Sequence, residues 1–130
     1  MPQREIEVIL SRQLASYLST PVFIVDQAGT LVFYNEPAEG ILGRRFEETG
    51  EMASDEWIAA STASDESGRA IPREQLPLMI ALNERRPVHG RFWIVGDDSV
   101  RRAIATTAFP LIGQAGRYLG AMAIFWEHVE

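Results

Sequence analysis

Cysteine is absent from this chain. Its absence excludes disulfides, thiolate metal sites and a cysteine nucleophile together, and is compatible with a cytoplasmic setting. No apolar run approaches the roughly 20 residues a membrane-spanning helix needs, so no membrane contact is expected. The N-terminus carries Arg4, Glu5 and Glu7 close together and lacks a signal-peptide core. Positive charge is scarce: 12 Lys+Arg face 18 Asp+Glu, a formal net charge of −6. That balance argues against nonspecific nucleic-acid binding and against docking on an anionic membrane. Catalytic signatures are missing too, with no G-x-S-x-G, no G-x-x-x-x-G-K-[ST] and no H-x-x-x-H pair, so the chain is not read as an enzyme. The acidic stretch Glu47, Glu48, Glu51, Asp55 and Glu56 lacks the D-x-D-x-D-G spacing of a hard-cation loop and reads as a solvated face, with no metal site expected. Gly113-Gln114-Ala115-Gly116 lies between two strands and so reads as a hairpin loop, not a phosphate cradle.

What remains is an ordinary globular composition, 46% apolar and 23% charged over 130 residues, enough for one domain with one core. Residues 3–19 predict an amphipathic helix. Ile6, Ile9, Leu10, Leu14, Tyr17 and Leu18 recur at spacings of three and four, with Arg4, Glu5, Glu7, Arg12 and Gln13 among them. Ser19-Thr20-Pro21 ends it. Such a helix either packs on its own domain or joins two copies. The β-rich runs Val22–Val25 and Thr30–Tyr34, joined by Asp26-Gln27-Ala28-Gly29, form a hairpin in this reading. Asn35 is the N-cap of a short helix that tolerates Pro37 in its first turn and stops at Gly43. Helical turns follow at Arg44–Glu48 and at Ser54–Ala60, the latter anchored by Trp57 and Ile58. Ser61–Pro72 is the least ordered in composition. A helix over Arg73–Arg86 carries the apolar stripe Leu76, Met79, Ile80 and Leu82, although Pro77 would suit a start nearer Gln75. Strands Val88–Val95, Val100–Phe109 and Tyr118–Trp126 complete the chain, with a turn at Gly96–Ser99 and a loop at Pro110–Gly116.

The pattern P-x-F-x-V-D-x-x-G-x-L-x-x-x-N-x-x-A-x-x-x-L-G, carried by Pro21, Phe23, Val25, Asp26, Gly29, Leu31, Asn35, Ala38, Leu42 and Gly43, resembles the opening of a PAS domain. Gly68, Pro72, Leu76, Pro77, Ala81, Leu82, Pro87, Val88 and Gly90 resemble the segment through the long helix of PAS domains from sensor kinases and related regulators. Gly116, Gly120, Phe125 and Glu127 resemble the family's last strand. Departures are Glu36 for the usual proline, Asp98 for a turn glycine, and Glu127 for an exit aspartate. The resemblance spans Pro21–Glu127. It implies an α+β fold: a five-stranded antiparallel sheet with short helices on one face and the N-terminal amphipathic helix near the other. Residues 1–20 would form that helix and 21–130 the PAS domain. The function implied is a sensory module that binds a small ligand or partner and relays its state to an effector, in the same longer chain or in a partner protein. A ligand-free dimerisation module is the alternative, and a small α+β enzyme a remote one.

Strand alternation, together with the resemblance, places Gly90, Phe92, Ile94, Ile104, Thr106, Ala108, Leu119, Ala121, Ala123 and Phe125 on the inner face. A candidate cavity is lined by Phe92, Ile104, Thr106, Ala108, Ala123, Phe125 and Met79, with the Thr106 hydroxyl as polar anchor. The outer face, with Trp93, Val95, Met122, Ile124 and Trp126, is too apolar to stand in water. Either the N-terminal helix or a second subunit covers it, and both are expected to contribute, in a homodimer using Ile6, Ile9, Leu10, Tyr17, Trp93, Met122, Ile124 and Trp126. Among cofactors known in the family, the covalent flavin adduct and the coumaroyl chromophore both require a cysteine. Haem-binding relatives place a histidine on the long helix, and Leu76–Arg86 has none, His89 and His128 lying elsewhere. Noncovalent flavin stays open.

Overall fold

Asp26 closes the first hairpin with its own side chain: Oδ1 accepts from the amides of Ala28 and Thr30, both at 3.0 Å. Gly29 takes φ 85, a left-handed geometry that suits glycine. The flanking strands are β1 (Val22–Asp26) and β2 (Leu31–Tyr34). The structure is a computed structural model describing residues 6–95 and 99–127. Arg4, Glu5, most of the Gly96–Ser99 turn and the exit His128–Glu130 lie outside the described residues. Ahead of the hairpin runs α1 (Ile6–Ser16); after it come α2 (Glu36–Leu42), α3 (Phe46–Thr49), α4 (Ser54–Ser61) and α5 (Pro77–Glu84). The chain ends in β3 (Val88–Val95), β4 (Arg101–Ile112) and β5 (Tyr118–Glu127). The five strands form one antiparallel sheet in the order β2-β1-β5-β4-β3, the α+β arrangement expected.

Local chemistry accounts for most boundaries. Asn35 caps α2, its side chain accepting from Ala38 N, and Gly43 ends that helix at φ 71 with its amide on Glu39 O at 2.8 Å. The helix expected over Arg73–Arg86 is two pieces, a 3-10 turn at Arg73–Gln75 and α5. Between them Leu76 is extended (φ −68, ψ 132), because a residue preceding proline is pushed out of helical geometry; Pro77 then occupies the first helical position. Arg85 ends α5 in the left-handed region at φ 55. The segment before it has more order than its composition implies. Asp65 Oδ1 accepts from Ser67 N and Arg69 N, and Ser64 exchanges 2.8 Å backbone hydrogen bonds with Trp93 on β3.

Two expectations for the last hairpin are corrected. The loop expected from Pro110 starts instead at Gly113, and β4 continues through Pro110 to Ile112. β3 pairs with β4 only as far as Ala108, so at Pro110 β4 has β5 alone beside it, an edge-like position where proline is tolerated. In β5 the alternation slips at its start. Leu111 pairs with Gly120 and Ile112 with Tyr118, so Leu119 is an extra residue. Gly120 adopts φ 147, and a Cβ there would lie 2.0 Å from Val25 O. The bulge turns Leu119 to the outer face, where it joins the second cluster, and Tyr118 to the inner one. Tyr118 Oη donates to Leu82 O at the end of α5, and the Arg85 guanidinium lies 4.3 Å over its ring.

The core has two parts. The inner cluster joins Phe23, Leu31, Trp57, Met79, Leu82, Phe92, Ile104 and Phe125 between the sheet and helices α2, α4 and α5. The outer cluster packs Val8 and Ala15 of α1 on Val22, Ile24, Val32, Leu119 and Met122.

Candidate functional site

The interior is built around Phe23. Its ring meets Phe125 edge-on at 4.9 Å and Trp57 at 6.0 Å, and Phe125 in turn meets Phe92 at 6.2 Å. Aromatic edge-to-face packing of this kind fills the centre of the space between sheet and helices. A cleft of about 30 Å³ remains, lined by Trp57, Leu76, Leu78, Phe92, Ile104 and Phe125 among others. The indole N–H of Trp57 is already spent on Gly29 O at 2.8 Å. The volume suits one water-sized guest, and the walls offer no polar partner to hold one.

Of the candidate cavity residues, Phe92, Ile104 and Phe125 line this cleft. Thr106 is on the inner face as expected, opposite Phe125, but its hydroxyl donates to Ile124 O at 3.0 Å within the sheet. Ala108 and Ala123 face each other across β4 and β5, fully buried, and the room they leave is taken by α5. Met79 reaches away toward Gly29, whose Cβ position lies 3.7 Å from its terminal methyl. Sequence reasoning missed Phe23, Ile41, Trp57, Ala63, Leu76 and Leu78, which reach the cleft from β1, the short helices and the turns. Phe23 was legible, since it shares the inward alternation of Val25; the helical contributors carry no comparable signal.

On the outer face, α1 meets the sheet with a narrower side than its apolar stripe. The helix packs through Val8 and Ala15, so the stripe read from the sequence points away from the sheet. Ile6 is 67% exposed, Leu14 61% and Tyr17 77%, and Ile9 and Leu10 are exposed with them. The reason lies in the two charged residues of α1, which flank its inner side. Arg12 sits 5.2 Å over the ring of Phe33 and 5.6 Å over that of Phe46. Glu7 binds the β4–β5 loop: Oε2 accepts from Gln114 N at 3.1 Å and from Arg117 Nη2 at 2.9 Å. With these ends tied down, Val8 and Ala15 must face the sheet. Met122 is therefore covered by α1 of the same chain and Ile124 packs against that cluster, whereas Trp93, Val95 and Trp126 lie beyond its reach.

No family model matches the sequence, and no curated protein matches it. Solved structures do. The PAS domain of BvgS from Bordetella pertussis superposes with a TM-score of 0.70 at 14% identity, over 97% of this chain and 89% of that one. The PAS domain of nitrogen regulation protein NR(II) from Vibrio parahaemolyticus gives 0.62 at 17% identity, over 92% and 98%. A LOV protein of Rhodobacter sphaeroides gives 0.67 at 13% identity, over 97% and 70%. This chain has the PAS fold. On this PAS sheet the helical side is closed by packed aromatics, and the other side is half covered by α1. Among the described residues no helix is long and apolar enough to cross a membrane, and no three His, Asp or Glu side chains gather as a metal site would require.

The attachment of α1 to the PAS sheet through Glu7 is expected to weaken at low pH. The Gln114 amide, then its own backbone amide and the Arg117 guanidinium, hold its carboxyl below the usual glutamate range. A depressed folded-state pKa contributes stability above the unfolded value, and that contribution is lost as pH falls through the folded one. Urea midpoints measured from pH 7 downward are expected to drop below about pH 4.5 in the native chain. Glu7→Gln is expected to lower the midpoint at pH 7 and to flatten that decline. Parallel curves for the two proteins would remove Glu7 as the cause.

Proposed function

We propose that this chain is a signal-relay module of the PAS type that works as a homodimer, two copies meeting through α1, and passes its state to an effector in the same longer chain or in a partner protein. The observation that carries the reading is the outward face of α1. Between residues 6 and 18 the charged side chains are Glu7 and Arg12, and both are engaged on the inner flank. The outward face carries Ile6, Ile9, Leu10, Leu14 and Tyr17, with the uncharged Gln13 and Ser16 among them, a period-three-and-four seam of the kind that pairs with another helix. A large apolar seam without charge is unfavourable in water and is covered in most soluble proteins. Relay through assembly also accords with an interior that is filled by its own side chains. The chain has no cysteine, so neither a covalent flavin adduct nor a coumaroyl chromophore enters this reading.

The lack of cysteine makes the test clean. Leu10→Cys and Leu14→Cys each place the chain's single thiol on the seam, and Ser67→Cys places it on an exposed turn far from α1. Under mild oxidation at least one seam variant is expected to form a disulfide-linked pair in most molecules, with little from Ser67→Cys. Equal cross-linking in all three would count against the α1 interface.

A second reading rests on the cleft near Phe23. Its walls are apolar, so a bound signal there would be a small uncharged apolar molecule, seated against Phe92, Ile104 and Phe125 after α5 shifts outward. Native mass spectrometry of the freshly purified chain would show it as a retained mass. A chain with no added mass, both as isolated and after incubation with excess benzene, would leave the interior as packing alone.

A further inference from the structure

The half of the outer sheet face beyond α1 carries a second surface of different chemistry. Cross-strand register sets Arg91, Ala105 and Trp126 in one row over β3, β4 and β5, and His89, Thr107 and Ile124 in the next. Ala105 is a low floor between two large side chains. The result is an open groove of about 430 Å³ walled by Arg91, Trp126 and the His89–Thr107 pair. His89 Nδ1 and Thr107 Oγ1 lie 3.0 Å apart, which steadies the imidazole. Trp126 is 45% exposed, and Arg91 is exposed with no carboxylate at ion-pair distance among the described residues. One row further along, the Arg101 guanidinium lies 5.1 Å over Trp93 and donates to Asp65 O at 2.6 Å.

Charge is distributed unevenly around the fold. Helices α2, α3 and α4 carry Glu36, Glu39, Glu47, Glu48, Asp55 and Glu56. Along β3, β4 and β5 the described carboxylate is Glu127, and it sits 3.4 Å from Arg102. The groove therefore presents positive charge on a protein whose net charge is −6. The chain has no lysine, so its cations are all guanidinium groups, which bind carboxylates in a forked geometry and stack on aromatic rings. Arginine and tryptophan are also the side chains that dominate protein–protein hot spots, most of all when they flank a small, water-excluding pocket.

We infer that this groove docks an acidic segment of a partner protein, with a carboxylate on Arg91 and an apolar side chain laid on Ala105 against Trp126. Nucleic acid fits less well, because backbone binding requires many neutralised phosphates and this face offers few cations. The inference goes beyond the α1 dimer and does not depend on it, since the groove and the seam share no residues.

The test is an NMR titration of the labelled chain with a helical peptide of leucine and glutamate, its leucine–lysine counterpart, and oligo-dT. The leucine–glutamate peptide is expected to shift the Arg91, Thr107 and Trp126 resonances. Arg91→Glu and Trp126→Ala are each expected to weaken it about tenfold or more, while the mass of both variants by light scattering stays that of the native chain. Equal binding of the lysine peptide, unchanged affinity in both variants, or no shift in the groove would overturn the inference. Tighter binding of oligo-dT would overturn the assignment to a protein partner.

Discussion

Asn35→Ala is expected to destabilise the chain by about 3–5 kcal/mol, a fall in Tm on the order of 10–20 °C. Few side chains here are tied to so many elements. Oδ1 accepts from Val22 N at 3.0 Å and from Ala38 N at 3.3 Å; Nδ2 donates to Ala15 O at 3.0 Å and to Thr20 O at 2.8 Å. One amide thus joins the end of α1, the turn after it, the start of β1 and the first turn of α2. Removing it takes a partner from Val22 N and Thr20 O, while Ala38 N keeps its 3.0 Å bond to the backbone oxygen of residue 35 and Ala15 O its 3.1 Å bond from Leu18 N. A buried group without a partner costs about 1–3 kcal/mol, and loss of an N-cap alone costs about 1 kcal/mol. Those costs do not add in full, because some water can enter, hence the range. Asn35→Asp keeps Oδ1 for both amides but sets a carboxylate oxygen against the carbonyls of Ala15 and Thr20, so near neutral pH it should be no more stable than alanine and should recover as pH falls. A loss below about 1 kcal/mol for Asn35→Ala in urea unfolding would mean that the amide is dispensable.

The second large effect is on assembly. Leu10→Glu together with Leu14→Glu is expected to raise the dimer dissociation constant at least 100-fold, about 2.7 kcal/mol. A twofold interface loses four leucine side chains through this pair of changes, each contributing about 1.5–3 kcal/mol when fully buried, and gains four carboxylates close together. Folding of the single chain should change little, because Leu10 is 55% exposed and Leu14 61% exposed within it. Equal loss of stability and of assembly would point to a role inside the chain instead of between chains.

Most of the fold was legible from residues that act locally. The Asp26–Gly29 reversal, the Asn35 cap and the Gly43 stop are where the sequence put them, and the structure adds that Asp26 Oδ1 closes the reversal. The Pro77 boundary was equally legible, since the constraint lies in the bond itself. Leu119 was misplaced because alternation assumes an unbroken strand, and only the close approach of Val25 O to Gly120 shows why it breaks. The face of α1 is the more instructive case, because the sequence left two uses of its stripe open. A hydrophobic stripe marks the side of a helix that is covered, but not by which molecule, and here Val8 and Ala15, with the Glu7 and Arg12 anchors, hold the stripe outward. The interior site was legible in part. Strand residues such as Phe92, Ile104 and Phe125 follow from period two, whereas Trp57 and Leu78 depend on how α4 and α5 are laid across the sheet.

Sedimentation equilibrium of the native chain across a wide concentration range tests the central claim most directly. Self-association through α1 requires a mass that rises with concentration toward roughly twice the 14.5 kDa of one chain. A mass that stays at 14.5 kDa up to high micromolar concentration would contradict it.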